Sequence, residues 1–405
     1  MIDVSFFEEF DECRLCYDIT RVVSRRLSPI RTGIDRVDES VFSYILKNKK
    51  NSFFVFCYNG QLFRAPRSLC YILNTIINLK AGDTRLQRIY FVILNLLVSP
   101  LLPRIFSTPR FFANKQLLNI CRLFSWRRPL GKVMIFNDKT LSDFVVYLNF
   151  GHKGYIFEND ALFFNCGFSY TVFFCHDIFP IDKSSLDYRE GSPLINVFKN
   201  ISYLDSGVLV LTNSENTKVS INKSFPNISN IKVSQMLLPI ASLSENCLSH
   251  SGIVKGDYFV FVGSAEPRKN IPFLFSVWDE IIYNIDIVPH LLVFSSFGSL
   301  SQELESEIQK CPLRKRYIHL IRGASDKRVL SSMKNSRAVL LPNLEEGFGI
   351  VLREALSCGA KVAIHREAKW GGLTQEEEAG VCQLSHKEEW VDFVLLNTSD
   401  KNKCR

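Results

Sequence analysis

Apolar positions in this chain fall into two arrangements. One is the short unbroken run of Val, Ile, Leu and Phe that suits a strand buried on both faces. The other is the spaced pattern of a helix with one apolar face. Runs within 12–22, 52–58, 132–136, 171–175, 206–212 and 231–239 predict strands in the first part of the chain. Asn213 or Ser214 stands where a helix N-cap belongs. After the polar, serine-rich stretch 241–256 the pattern resumes, with runs at 258–263, 290–295, 317–322, 337–342 and 361–364. Helical spacing fills the gaps at 271–282, 327–334 and 350–356, and Gly359 is placed as a C-cap. Strand alternating with helix is the signature of βαβ units and a parallel sheet. With 405 residues there is length for two cores. The expected division is 1–245, 246–385 and a short tail, 386–405, with 61–130 as an irregular insertion in the first domain.

The last βαβ unit carries the densest chemistry. Its loop, Glu346-Gly347-Phe348-Gly349, has glycines that let backbone approach a ligand. The loop runs into a helix N-terminus, where free N–H groups favour anions and oxygen-rich ligands. Glu346 and Glu354 form a carboxylate pair suited to accepting hydrogen bonds from sugar or ribose hydroxyls. Arg268 and Lys269 precede the helix that begins at Ile271, and two cations beside a helix N-terminus suit a diphosphate. His176-Asp177 follows the run 171–175, at the strand end where open α/β sheets bind ligands. Gly33 lies in a loop after the first strand, ahead of a helix through 38–46.

Together these residues resemble the signature of the family 4 retaining glycosyltransferases of the GT-B fold, the glycosyl transferases group 1. The resemblance rests on Glu346-x7-Glu354 with Gly-Phe-Gly inside it and Ala-Leu-x-Cys-Gly after it, on Glu266-Pro-Arg-Lys-Asn270, and on His176-Asp-x-x-Pro180. Thr32-Gly33-Ile34-Asp35-Arg36-Val37 is similar to the version in a subset that builds bacterial surface polysaccharides. The resemblance implies two Rossmann-like, doubly wound parallel-sheet domains facing a cleft. It implies a nucleotide-sugar donor on the second domain, bound by Gly263, Ser264, Arg268, Lys269, Glu346, Gly347, Phe348, Gly349 and Glu354. It puts Gly33, Asp35 and Arg36 on the acceptor side and gives catalytic roles to Glu346, His176, Arg268 and Lys269. The family needs no bound metal and no cofactor, and the sequence has no Asp-x-Asp triplet. The implied acceptor is a saccharide or lipid-linked saccharide, as in O-antigen, lipopolysaccharide, capsule or exopolysaccharide synthesis. One position departs from the pattern: many members carry arginine directly after the glycine, and here it is Ser264. Two rivals stay open, a GT-B-fold sugar-nucleotide epimerase and a non-catalytic carbohydrate- or partner-binding relative.

Charge adds one feature. The net charge is +8, yet eleven basic residues against Asp83 alone lie between Arg64 and Arg128, so the rest of the chain is close to neutral. The longest apolar run, 89–102, is broken by Asn95, Ser99 and Pro100 and falls short of the roughly 20 apolar residues a spanning helix needs. Basic and apolar residues interleaved this way suit an anionic membrane surface, or equally a helical insertion packed on the first domain with a solvated basic face. No nucleic-acid-binding motif accompanies the charge, so no nucleic-acid partner is expected. Twelve scattered cysteines without a leader-like start suit reduced thiols, and the lone Cys13-x2-Cys16 lacks the second pair that zinc requires. The expected location is the cytoplasm, with peripheral attachment at the inner face of the plasma membrane on the first of these two readings of the basic segment.

Overall fold

The computed structural model describes residues 5–26, 31–58, 61–80, 85–98, 144–152, 168–203, 207–234, 257–295, 298, 300–368, 370 and 373–398. The chain divides into two units: one of 1–183 and 188–239, the other of 184–187 and 240–405. The expected strand at 132–136, the polar stretch 241–256 and most of the basic segment beyond 98 lie outside the described residues.

In the first unit the described strands are β1 (Arg14–Asp18), β2 (Phe53–Tyr58), β3 (Gln61–Ala65), β4 (Val145–Asn149), β5 (Tyr170–Cys175), β6 (Val208–Thr212) and β7 (Ile231–Val233). Their order is β3-β2-β1-β4-β5-β6-β7. All pairings are parallel except β2 with β3, an antiparallel edge within the segment expected to be irregular. The period of two explains the buried runs. Leu15, Tyr17, Phe54, Phe56, Val172 and Phe174 point into one core, and Cys16, Phe53, Val55, Phe173 and Cys175 into the other. A sheet covered on both faces needs apolar residues at consecutive positions. β4, Val145-Val-Tyr-Leu-Asn149, is not among the expected strands, although all five residues are buried.

Segment 61–98 is more regular than expected. Arg67–Lys80 is a helix whose Leu69, Cys70, Leu73, Ile76 and Ile77 join the first core at three- and four-residue spacing. A second helix, Arg85–Val98, packs Phe91 and Leu94 there and leaves Leu86, Ile89, Tyr90 and Ile93 exposed. Among the described residues, no helix is long and apolar enough to cross a membrane.

The second unit repeats the plan with β8 (Tyr258–Val262), β9 (His290–Phe294), β10 (Ile318–Ile321), β11 (Val339–Leu341), β12 (Val362–His365) and β13 (Val381–Leu384), ordered β10-β9-β8-β11-β12-β13 and all parallel. Phe259, Phe261 and Trp278 fill one core, and Tyr258, Val260, Leu352 and Ala355 the other. One expectation is corrected here. Residues 386–405 do not form a mere tail, because Lys387–Asn397 is a helix packed on helix Ile271–Asn284. Its Trp390 is fully buried, with its ring edge-on to Phe273 at 5.7 Å. The reason is the apolar set Trp390, Val391, Phe393 and Val394, which belongs to this unit's core.

Trp390→Ala removes a whole ring from that core, and by the usual cost of such truncations will lower unfolding stability by about 3–5 kcal/mol. Trp390→Phe will cost much less, since the buried indole Nε1 has no hydrogen-bond partner among the described residues. Chemical denaturation of the three proteins checks this, and wild-type stability in Trp390→Ala would show that the helix is dispensable to the core.

Candidate functional site

In the second unit, the residues singled out from the sequence converge where β8 and β11 end. Pro267–Lys269 is a single 3-10 turn closed by Asn270 in the left-handed region (φ 53°), and the helix Ile271–Asn284 follows. The Arg268 carbonyl accepts from the Leu344 N–H at 2.8 Å, which fixes this turn against the loop after β11. Lys269, only 7% exposed, places Nζ on Glu346 Oε2, and Asn343 Nδ2 donates to the same oxygen at 2.8 Å. The Arg268 guanidinium lies 3.7 Å from Glu346, donates from Nε to Asp187 Oδ2 at 2.5 Å, and reaches Glu266 Oε2 at 3.4 Å. Ser264, where the family pattern often has arginine, donates to Glu266 at 2.7 Å.

Burial alone would push the Glu346 carboxyl up, but Lys269 and Arg268, helped by the hydrogen bonds from Lys269 and Asn343, hold it below its ordinary range. Burial pulls Lys269 down against the attraction of Glu346. Asp187 is raised by burial and by Glu266, against the opposing pull of Arg268. The result is a fixed constellation of two cations braced by carboxylates at a helix N-terminus.

The glycine loop is shaped as its sequence requires. Gly349 caps helix Ile350–Ser357 with φ 75°, and a Cβ there would lie 3.0 Å from the Trp370 ring. Gly347 is buried. Phe348 lies under the Arg353 guanidinium, 3.9 Å from its ring centroid, and Arg353 also pairs with Glu377 at 2.8 Å. Glu354 is 2% exposed within the helix. Gly263 follows β8, and Gly298 passes so close to Ala265 that a Cβ would lie 2.1 Å from its carbonyl oxygen.

The other predicted residues lie in the first unit. Gly33 is the first residue of helix Gly33–Asn48 rather than a loop glycine, because Thr32 caps that helix and Asp35 completes the capping box. Asp35 is buried and paired with Arg21 at 2.8 Å and Arg25 at 3.1 Å, and Arg36 is half-buried beside it. His176 follows β5, with its ring Nε2 3.0 Å from the Phe150 carbonyl. A carbonyl only accepts, so Nε2 carries the proton. His152, at φ 55°, stacks on His176 at 5.5 Å, and its Nδ1 accepts from the His176 N–H at 3.1 Å. Burial lowers both imidazoles, His152 to about 3, and it is burial that keeps them neutral.

Three participants had no clear local signal: Asp187, distant in sequence from Arg268, and His152 and Asp38 of the first unit. Arg353 falls within the spacing Glu346-x7-Glu354 and Asn343 three residues ahead of it, but the sequence marks neither as a partner of Phe348 or Glu346. Asp38 is fully buried behind Tyr17, whose hydroxyl donates to it at 2.6 Å, and near Asp18, which accepts from Thr20, Tyr147 and Asn149. Among the described residues, no group of His, Cys, Asp and Glu is arranged to hold a metal ion.

Comparison with known proteins defines the class. Residues 249–386 match the family model described as glycosyl transferases group 1. An uncharacterized glycosyltransferase of Methanocaldococcus jannaschii is 24% identical over 153 residues, which is 37% of this chain and 41% of that protein. The chain therefore spans less than half the length of the curated relative it matches. The crystal structure of trehalose-6-phosphate synthase OtsA superposes with a TM-score of 0.53 at 10% identity, covering 94% of this chain and 90% of that one. Anabaena HepE in complex with UDP gives 0.52 at 12%, covering 94% and 88%. The fold is GT-B, built of two parallel-sheet α/β units. The residues that match the glycosyl transferases group 1 model all lie in the second unit.

Burial pushes Asp38 from 3.8 up to about 8. Below 3.8 the carboxyl is protonated in both folded and unfolded chains. Between the two values only the folded chain keeps the proton, so this group erodes stability as pH rises and levels off above about 8. Asp38→Asn will therefore gain stability relative to wild type from pH 5 to pH 8. Denaturant unfolding at several pH values reads this directly, and a difference independent of pH would mean that Asp38 is ionised in the fold.

Proposed function

We propose that the chain is a retaining glycosyltransferase that moves a sugar from a nucleotide-sugar donor to a saccharide or lipid-linked saccharide acceptor. The observation that carries this reading is the Arg268–Lys269–Glu346 constellation at the N-terminus of helix Ile271–Asn284. Cleavage of a nucleotide-sugar leaves a diphosphate, and negative charge grows on its oxygens as the bond to the sugar breaks. Fixed cations and helix N–H groups stabilise that charge without reorganising. Arg268 supplies the planar fork and Lys269 the compact charge. Asp187 and Glu266 hold the guanidinium in place, so it meets the diphosphate already oriented.

Glu346 positions the donor sugar and orients Lys269; it is not assigned as a nucleophile. The leaving diphosphate itself assists same-face attack, which is the retaining course. Gly347, Phe348 and Gly349 offer backbone to sugar and phosphate, Glu354 the ribose contact, and Gly263 and Ser264 the approach to the diphosphate. In the first unit, Gly33, Asp35 and Arg36 mark the acceptor side. His176 contributes as a neutral imidazole, because burial lowers it well below its ordinary value, and its Nε2–H donates to the Phe150 carbonyl. Side-chain cations take the part that a divalent ion plays elsewhere, so no metal or other cofactor is required. HepE, a structural neighbour, was solved with UDP, which supports a nucleotide-sugar as donor. The setting we favour is assembly of O-antigen, capsule or exopolysaccharide at the cytoplasmic membrane face. Two features support it: the likeness of Thr32–Val37 to enzymes of that group, and the basic segment from Arg64 onward.

Thermal unfolding with UDP-, GDP- and dTDP-sugars tests the reading. One nucleotide class will raise the melting temperature of wild type, and Arg268→Ala/Lys269→Ala will abolish the shift. With the matching acceptor, the double variant will lose on the order of 10²–10³ in rate. No shift with any nucleotide on folded protein would favour a non-catalytic relative. Conversion of the donor without acceptor would favour an epimerase.

A further inference from the structure

A second charged site lies in the first unit, where β1, β2 and β4 begin and β3 ends. A cavity of about 820 Å³ opens there among Arg14, Lys50, Phe53, Arg64, Arg67 and Phe144. This is the size of a small-molecule pocket. It sits at the strand ends opposite those that carry Asp18, Asn149 and His176, so it is separate from the residues assigned above.

The register of three strands builds it. Arg14 has the parity of Cys16, Phe53 that of Val55, and Arg64 that of Leu62, and all of these point into the same core face. With the order β3-β2-β1, the three side chains form a row: Arg64, Phe53, Arg14. The guanidinium carbons lie 5.0 Å (Arg64) and 5.1 Å (Arg14) from the centroid of the Phe53 ring. Arg67 is fixed at the rim, donating to the carbonyls of Leu46, Lys50 and Ser52, each at 2.8 Å. Among the described residues, no carboxylate pairs with Lys50, Arg64 or Arg67. Among the described residues that line the cavity, Glu12 is the one acid, against four basic side chains. Lys50, Arg64 and Arg67 repel one another across this concave space, and an oxyanion relieves that repulsion.

We propose that this cavity binds a phosphate-bearing ligand, with Arg14, Arg64 and Lys50 as donors and Phe53 as the apolar surface between the guanidinium groups. Two guanidinium forks match the paired oxygens of phosphoryl groups, and a ring set between them offers an apolar contact to whatever carries the phosphate. The phosphate belongs either to a lipid headgroup or to a soluble phosphorylated molecule.

The test uses the full chain. Binding of inorganic diphosphate is measured by calorimetry, and binding to phosphatidylcholine vesicles with and without phosphatidic acid by sedimentation. Both are done in the Arg268→Ala/Lys269→Ala background, so that the proposed donor site does not contribute and the two readings fail separately. Arg14→Gln/Arg64→Gln will weaken binding by about tenfold or more, the usual effect of losing charged hydrogen bonds. Lys50→Gln, at an exposed position that the fold does not need, will weaken it several-fold, and Arg64→Lys will retain part of it. Diphosphate binding without vesicle binding supports the proposal with a soluble ligand. Binding only to phosphatidic acid vesicles supports it with a lipid headgroup. Unchanged affinity in both Lys50→Gln and the double glutamine variant, or no binding to either probe, overturns it.

Discussion

A buried ammonium stays charged only beside a carboxylate, and the Lys269–Glu346 pair is the constraint on which the site of the second unit depends. The two residues are far apart in sequence, one after β8 and the other after β11. They meet because these strands are neighbours in the sheet. The βα loops of adjacent parallel strands emerge at the same edge, so each can supply half of an ion pair. Once Glu346 is ionised, Asn343 can bond it, and Arg268 can share it while resting on Asp187 and Glu266. Removing one member would leave an uncompensated buried charge, which costs more than the contact itself contributes.

The first unit meets its polar burden differently. Its carboxylates pair with arginines where the helix Gly33–Asn48 begins, as Asp35 does with Arg21 and Arg25. Deeper in, Asp38 and Asp18 rest on tyrosine hydroxyls. The protonated Asp38 carboxyl and neutral imidazoles at the strand ends, with Asp18 held by three donors, make a rigid hydrogen-bonded floor. At the opposite strand ends the balance reverses, with guanidinium groups around Phe53. One sheet thus presents two chemically distinct edges, both set by residues immediately flanking the same strands.

Much of the fold could be read from periodicity. Runs such as 258–263, 290–295 and 361–364 correspond to β8, β9 and β12 because strands buried on both faces need consecutive apolar residues. β4 is not among the strands so expected, although its five residues are all buried. Nor is β3, where an antiparallel edge follows β2 after two residues. At the other end, the short tail expected from 386 onward carries a helix whose Trp390 the core of the second unit encloses.

The sequence by itself determined which local structures form and which chemistry they carry. Glycines at 347 and 349, cations at 268 and 269, and carboxylates at 346 and 354 were all visible as types and spacings, because loop geometry and helix ends depend on nearest neighbours. Only the tertiary structure decided the partners. Glu346 takes Lys269, Arg268 takes Asp187, Phe348 lies under Arg353, and His176 Nε2–H donates a hydrogen bond to the Phe150 carbonyl. Arg14 and Arg64 come to flank one phenylalanine only through sheet order and register. Charge, pKa and proton position are set by what lies within a few ångströms, and strand order, which no single segment encodes, decides what that is.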